Sequence, residues 1–262
     1  MTRPNPLRRF PMYKAHPVFV QPDNEAVKVW RYMDFTKLVS LIDSRRLFFA
    51  RADKFNDPFE GSWPKVNVLA RREIPDQLPA AAREGYVKAL ASFQTLDKMW
   101  PKYHAINCWH MNEHESAAMW RLYLKSDEGI AVQTSYRKFR SSFTDDKEIY
   151  IGVVKYIDYE TEWIDAGNML LPFVHKRKSY EHEREVRAVV TQWPTGEYGL
   201  DFSHDTIVAG LGIKVDVEQL IERIYVAPSS PAWFAELVGA LVQRYGYNFP
   251  VVQSKLGEQP FF

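Results

Sequence analysis

Residues 104–135 read HAINCWHMNEHESAAMWRLYLKSDEGIAVQTS, and how this stretch divides sets the fold class. HAINCWHM (104–111) has strand character, ESAAMWRLYLK (115–125) carries apolar residues at helical spacing, and GIAVQTS (129–135) is β-rich again after Gly129. Toward the C-terminus, EIYIGVVKYID (148–158) and EVRAVVTQ (185–192) predict two further strands, VEQLIER (217–223) a helix and IYVAP (224–228) a strand. A final helix follows, with Phe234, Leu237, Val238, Leu241, Val242 and Tyr245 on one face, Ser230 as its cap and Pro231 in its first turn. FPVVQSK (249–255) returns as a strand. Toward the N-terminus, VKVWRYM (27–33) predicts a strand, and Asp34 an N-cap for a helix carrying Leu38, Leu41 and Ile42. LFFA (47–50) predicts a short strand, and residues 75–100 a helix stopped by Pro101. Strands and helices interleave without a repeating βαβ rhythm. That predicts an α+β fold, a mixed and largely antiparallel sheet with packed helices, in place of a doubly wound parallel sheet.

Composition supports one folded unit. Of 262 residues, 46% are apolar and 15% aromatic, enough for a sizeable core. Pro4, Pro6, Pro11 and Pro17 punctuate a start that is basic and free of acids, which predicts an extended arm over residues 1–20 and a single α+β domain over 21–262. The 34 Lys and Arg against 33 Asp and Glu leave a net charge of +1, which argues against a dedicated nucleic-acid binder. One cysteine, Cys108, allows neither an internal disulfide nor a cysteine-rich zinc site, and predicts a reducing, cytoplasmic location. No apolar run approaches the ~20 residues a membrane span needs, so no membrane partner is expected. There is no G-x-G-x-x-G, Walker loop or G-x-S-x-G, which argues against Rossmann, P-loop and α/β-hydrolase chemistry.

Chemistry concentrates in four places. In KRKSYEHEREVRAVV (176–190), strand alternation predicts Glu183, Glu185 and Arg187 in one row about 7 Å apart, with Val186, Ala188 and Val190 toward the core. Such a row can hold one carboxylate ionised beside another that exchanges a proton, or serve simply as a solvated charged face. In WRYM (30–33), Arg31 and Tyr32 point to opposite faces, and an Arg at a strand end suits a phosphate or carboxylate. KFNDPFEG (54–61) holds a turn signal at Asn56, Asp57 and Pro58, with scaffolding favoured over metal binding for Asp57 and Glu60. Trp120 and Tyr123 are neighbours on a helix face, a wall for an aromatic ring or ordinary core. His110 and His114, with Glu113 and Glu115, do not match H-E-x-x-H, and no metal is expected. Cys108 is expected to be a buried structural thiol.

In order, these segments resemble a bacterial family of unassigned activity, domain-of-unknown-function family twenty-nine seventy-one. The matching positions are Arg31 and Tyr32, Phe55 to Glu60, Met119, Trp120 and Tyr123 before Gly129, then Lys176, Tyr180, Glu183, Glu185 and Arg187, over residues 28–255. Here the chain has Cys108, Trp109 and His110 where the family usually shows Cys-Phe-Ser, and Tyr180 where a Trp is usual. An early strand Arg, a middle strand with a small polar motif and a late E-x-E also resemble the Arg-Ser-Glu class of ADP-ribosyltransferases. That resemblance implies an NAD-consuming enzyme, an ADP-ribosyltransferase or NAD glycohydrolase, acting in phage defence or as a toxin. It implies NAD as substrate, with Arg31, Tyr32, Trp120, Tyr123, Arg187 and His110 binding the nucleotide and Glu185 and Glu183 as catalytic residues. Glu185 would grip a ribose hydroxyl and Glu183 would position or deprotonate a protein or nucleic-acid acceptor. His110 stands where that class has its Ser. Two alternatives stay open: a non-catalytic binding or immunity module on the same scaffold, and a nucleic-acid-acting protein using HKRK (175–178), the arm, Asp57 and Glu60.

Overall fold

A computed structural model describes residues 13–124, 127–197 and 199–260. In chain order its strands are β1 (Lys28–Asp34), β2 (Arg46–Arg51), β3 (His104–Met111), β4 (Gly129–Ser135), β5 (Tyr150–Val153), β6 (Lys155–Ile157), β7 (His175–Arg177), β8 (Glu185–Thr191), β9 (Thr195–Gly196), β10 (Gly199–Leu200), β11 (Gly210–Lys214), β12 (Arg223–Val226) and β13 (Val251–Gln253). The helices are α1 (Phe35–Ser44), α2 (Lys65–Arg72), α3 (Ala80–Met99), α4 (Ala117–Tyr123), α5 (Tyr136–Ser141), α6 (Val217–Leu220) and α7 (Ala232–Arg244). The fold is α+β, as the element order predicts.

Strand β3 organises the molecule because its two edges are used differently. Along one edge β8 pairs antiparallel over the full length, from His104 opposite Thr191 to His110 opposite Glu185, and β5 continues the sheet beyond β8. The other edge is shared. Near its start β3 pairs with β2, through Ala105–Arg51 and Ile106–Ala50, and at its end with β1, through His110–Trp30 and Met111–Val29. Between those contacts the sheet forks. One prong runs β1–β4–β12–β13 and the other β2–β11; of these pairings only β12 with β13 is parallel. Strands β6 and β7 form a separate parallel pair, and β9 with β10 a small hairpin.

Helix α1 leaves β1 directly at Asp34 and stops at Arg45, which takes the left-handed conformation with φ 52. Its Leu38, Leu41 and Ile42 pack with Phe234, Val238 and Val242 of α7 against Val29, Ile130 and Val132 of the first prong. The opposite face of that prong carries Trp30, Tyr32 and Ala131, covered by Met119 and Trp120 of α4. Strand β8 is buried on both faces: Val186, Ala188 and Val190 enter the main core and Val189 a second cluster. Among the described residues no helix is long and apolar enough to cross a membrane.

Several expected elements are redrawn. The run 148–158 splits into β5 and β6, because the Val154 N–H donates to the Glu185 carbonyl (2.9 Å) and the chain then joins a different sheet. Helix α4 is trimmed to 117–123 by a cap at Ser116, whose side chain accepts the Met119 N–H. Ser230 does not cap α7; its hydroxyl donates to the Asp127 carbonyl (2.5 Å), and Pro231 takes the capping position. The row of Glu183, Glu185 and Arg187 is broken, since 178–183 form a 3-10 turn and Arg184 adopts φ 40, so Glu183 precedes the strand. Of the expected arm, residues 1–12 lie outside the described residues; Tyr13 bridges to Ile149 and Phe19 is buried.

Candidate active site

A cleft of about 500 Å³ opens at the fork, walled by α1, α4, the diverging strands β1 and β2, the middle of β3, and Glu183 and Glu185. Backbone groups left without a strand partner must find another. Here side chains supply it: Arg31 Nη1 donates to the Cys108 carbonyl (2.7 Å), and Asn107 Nδ2 donates to the Phe48 carbonyl (2.9 Å). These two bonds tie each prong back to β3 across the gap.

Arg31 is half-buried, and the bond to Cys108 is the one hydrogen bond found for its side chain among the described residues. Burial draws its pKa down, against the pull of Cys108, Tyr123 and Glu185, but a guanidinium stays charged throughout the accessible range. No carboxylate among the described residues is in ion-pair contact with it. The guanidinium therefore brings to the cleft a cation with donors to spare.

The carboxylates on the far side are tightly held. Arg187 is completely buried, and all five of its N–H donors are used. Nε donates to Glu185 Oε1 (3.0 Å), Nη1 to Glu60 Oε1 (2.5 Å) and the Phe173 carbonyl (2.9 Å), and Nη2 to Glu60 Oε2 (2.8 Å) and Glu185 Oε2 (3.1 Å). Lys176 is buried too, against Glu183 and with Nζ 3.3 Å from Glu185 Oε2. Burial alone would push Glu185 up, yet the Arg187 guanidinium and then the Lys176 ammonium outweigh it and hold the carboxyl at about 2. Lys176 is shifted upward in turn, because Glu185 and Glu183 override its own burial. Arg187 and Lys176 occupy three of the roughly four lone-pair sites on the Glu185 carboxylate, and the Cys108 thiol, a weak donor, is directed at it as well.

The FNDPFEG loop is the foundation of this clamp. Asp57 accepts the Phe59 N–H (3.0 Å) and pairs with Arg177 (2.7 Å), Glu60 grips Arg187, and Gly61 at φ 69 packs where a Cβ would stand 2.5 Å from the Phe173 ring. Asp57 and Glu60 are scaffold, as expected.

The other expected site residues separate into two groups. Arg31, Tyr32, His110, Tyr123, Glu183 and Glu185 line the cleft together, and Cys108, expected only as a structural thiol, lines it with them. Arg187, expected to bind the nucleotide, is corrected to a positioning residue: with every donor satisfied and no exposure, it has nothing to offer a ligand. Trp120 is also corrected. It is buried behind the cleft, with its ring edge-on to Tyr32 (5.0 Å) and its indole N–H on Glu115 (2.9 Å), while Tyr32 accepts the Ser116 N–H that starts α4. Tyr123, 45% exposed, is left as the aromatic wall. Lys37, Ser40 and Arg46 at the outer mouth escaped sequence reasoning. The signal was present for the first two, since Lys37, Ser40 and Leu41 share a helix face.

His110 donates through Nδ1 to the Glu183 carbonyl (2.6 Å), while its Nε2 is buried with no partner. Burial, with Arg184 and His182 nearby, lowers its pKa below the usual 6.5. Burial pushes the Cys108 thiol well up, and Glu185 adds to the effect.

No family model matches the chain and no curated protein matches it, so the motif resemblance stands on its quoted residues alone. Among solved structures the chain is similar to Thermus sp. 2.9 DarT. The complex of that protein with ADP-ribosylated ssDNA is 9% identical, with 90% of this chain and 96% of that chain covered and a TM-score of 0.39. Its complex with NAD+ is 8% identical, with 92% and 100% covered and a TM-score of 0.39. A likeness at this level assigns no role to any residue here.

Proposed function

We propose that the protein consumes NAD, as an ADP-ribosyltransferase or NAD glycohydrolase. The observation that supports this best is the shared cleft: Arg31, with free donors, and Glu185 and Glu183 face one cavity that Tyr123 walls. In this reading Arg31 takes a phosphate of the dinucleotide in its fork, assisted at the mouth by Lys37 and Arg46. Tyr123 stacks on the nicotinamide ring. Glu185 accepts a ribose hydroxyl in place of the weak Cys108 thiol donor. Breaking the bond between ribose and nicotinamide develops positive charge on the sugar, and a carboxylate already ionised and rigidly held stabilises that charge without reorganising. Glu183, at the end of the 3-10 turn, orients the acceptor, a protein or nucleic acid. We place the activity in the cytoplasm, in phage defence or toxin action.

The test is nicotinamide release from NAD by the purified protein beside Glu185→Gln. Gln keeps the shape and removes the charge, so release should fall by about 10²-fold or more. NAD should still raise the melting temperature of both proteins. Absence of both release and stabilisation in the wild type would favour the binding-module alternative.

A further inference from the structure

Cleavage of NAD toward an acceptor needs a group that takes the acceptor's proton, and the cleft is crowded with groups unfit for it. Glu185, held at about 2 by Arg187 and Lys176, is a feeble base. Lys176 keeps its proton, and so do the half-buried Cys108 thiol and the Tyr123 phenol, both pushed upward chiefly by the desolvation of their polar ends in the cleft. Glu183 has its carboxylate pressed against the Lys176 ammonium.

The imidazole of His110 differs. A main-chain carbonyl can only accept, so the 2.6 Å contact with the Glu183 oxygen fixes the hydrogen on Nδ1. That leaves Nε2 of the neutral ring with a bare lone pair. The residue is 4% exposed and belongs to the cleft wall, yet Nε2 has no partner. A buried acceptor without a donor is costly, and a ligand hydroxyl would relieve it. Burial keeps the ring neutral, and Arg184 and His182, beside Glu183, oppose a second proton. Tyr32 of β1 lies edge-on at 6.3 Å, and Glu185, opposite on β8, is an anion spent on Arg187 and Lys176.

We propose that His110 Nε2 is the proton acceptor of the cleft and that the acceptor substrate attacks through an O–H group, whether of water, a sugar or a side chain. This rests on the NAD-consuming reading. The acceptor oxygen bonds to the ribose C1′ as the bond from C1′ to the nicotinamide nitrogen breaks. That bonding pair leaves with the nicotinamide, which departs neutral. The acceptor's proton passes to Nε2, and the imidazolium returns it to solvent. Glu183 then supplies its main-chain carbonyl to hold the ring, and is not the base.

The experiment compares nicotinamide release from NAD in water by the full chain, wild type against His110→Asn and His110→Gln, between about pH 5 and 8. Asn retains an N–H near the Nδ1 position and deletes Nε2; Gln places an amide near Nε2 that forms hydrogen bonds but takes no proton. Both should lose about 10²–10⁴-fold in kcat and the acidic limb of the wild-type profile, with the NAD-induced rise in melting temperature intact. A Gln variant within about threefold of wild type, or one that keeps the acidic limb, overturns the proposal and leaves NAD consumption standing. A wild type that neither cleaves NAD nor is stabilised by it overturns both. If NAD binds without cleavage, the ¹⁵N resonances of His110 decide: an unprotonated Nε2 at neutral pH supports the proposal, and a protonated one overturns it.

Discussion

Two arginines flank Cys108 from opposite edges of β3, and they are used in opposite ways. Arg187 stands across from Cys108 on β8, wholly buried, with its five donors spread over Glu60, Glu185 and the Phe173 carbonyl. Arg31 comes from β1 at the fork, half-buried, with one bond to the Cys108 carbonyl. A cation whose every donor is answered by the protein is architecture, because withdrawing it strands the buried anions around it. A cation with donors to spare beside a cavity is available to a ligand. Arginine as a residue type says nothing of this difference; the supply of partners decides it.

The sharpest way to break that comparison is to replace each arginine with Met. Arg187→Met leaves Glu60 and Glu185 buried without their shared partner, and should cost about 3–5 kcal/mol, a large share of the roughly 5–15 kcal/mol of an ordinary domain. Arg31→Met removes one hydrogen bond to a carbonyl and should cost about 1 kcal/mol. Urea unfolding of both variants reads the contrast. Equal losses would mean that Arg31 is also structural and that the fork depends on it.

Acid should undo the clamp. The Glu185 carboxyl lies at about 2 in the folded protein against an ordinary value of 4.5. A depressed carboxylate contributes stability that is complete above its unfolded value and is lost as pH falls toward its folded one. Unfolding free energy should therefore decline between about pH 5 and 2, by roughly 3 kcal/mol from this group as an upper bound. Glu185→Gln should flatten that decline, and Arg31→Met should leave it unchanged. A wild-type profile as flat as that of Glu185→Gln would show that the clamp holds Glu185 less firmly than its three bonds imply.

How much of this could be read in the sequence follows the same division. Strands β3 and β4 coincide with their expected bounds, 104–111 and 129–135, because each is a short apolar run ended by polar turns or Gly129. The inward set Val186, Ala188 and Val190 was legible from alternation alone. The burial of Arg187 was not, since a charge on the second face of a strand looks solvated until a loop more than 120 residues earlier delivers Glu60 to it. Nor was the displacement of Glu183 from the row, which needs Arg184 at φ 40, a conformation that charged residues seldom announce. Sequence order placed Arg31 and Glu185 among the site residues. The fork that brings them to one cleft is a matter of which strand pairs where along β3, and local spacing carries no record of that.

The finest distinction is drawn at Arg31 by Arg31→Lys. An ammonium on a flexible stem keeps the charge and can donate one hydrogen to the Cys108 carbonyl, so the structural share of the residue survives and stability should stay within about 0.5 kcal/mol of wild type. What is lost is the planar fork that grips two oxygens of a phosphate at once. NAD affinity should fall about tenfold, equivalent to roughly 1.4 kcal/mol, and appear as a smaller NAD-induced rise in melting temperature with kcat little changed. Such a split, with binding weakened and unfolding untouched, belongs to a ligand-facing arginine. Should Lys instead lower stability and leave NAD affinity alone, Arg31 would join Arg187 as part of the frame, and the phosphate would have to be held at the mouth by Lys37 and Arg46.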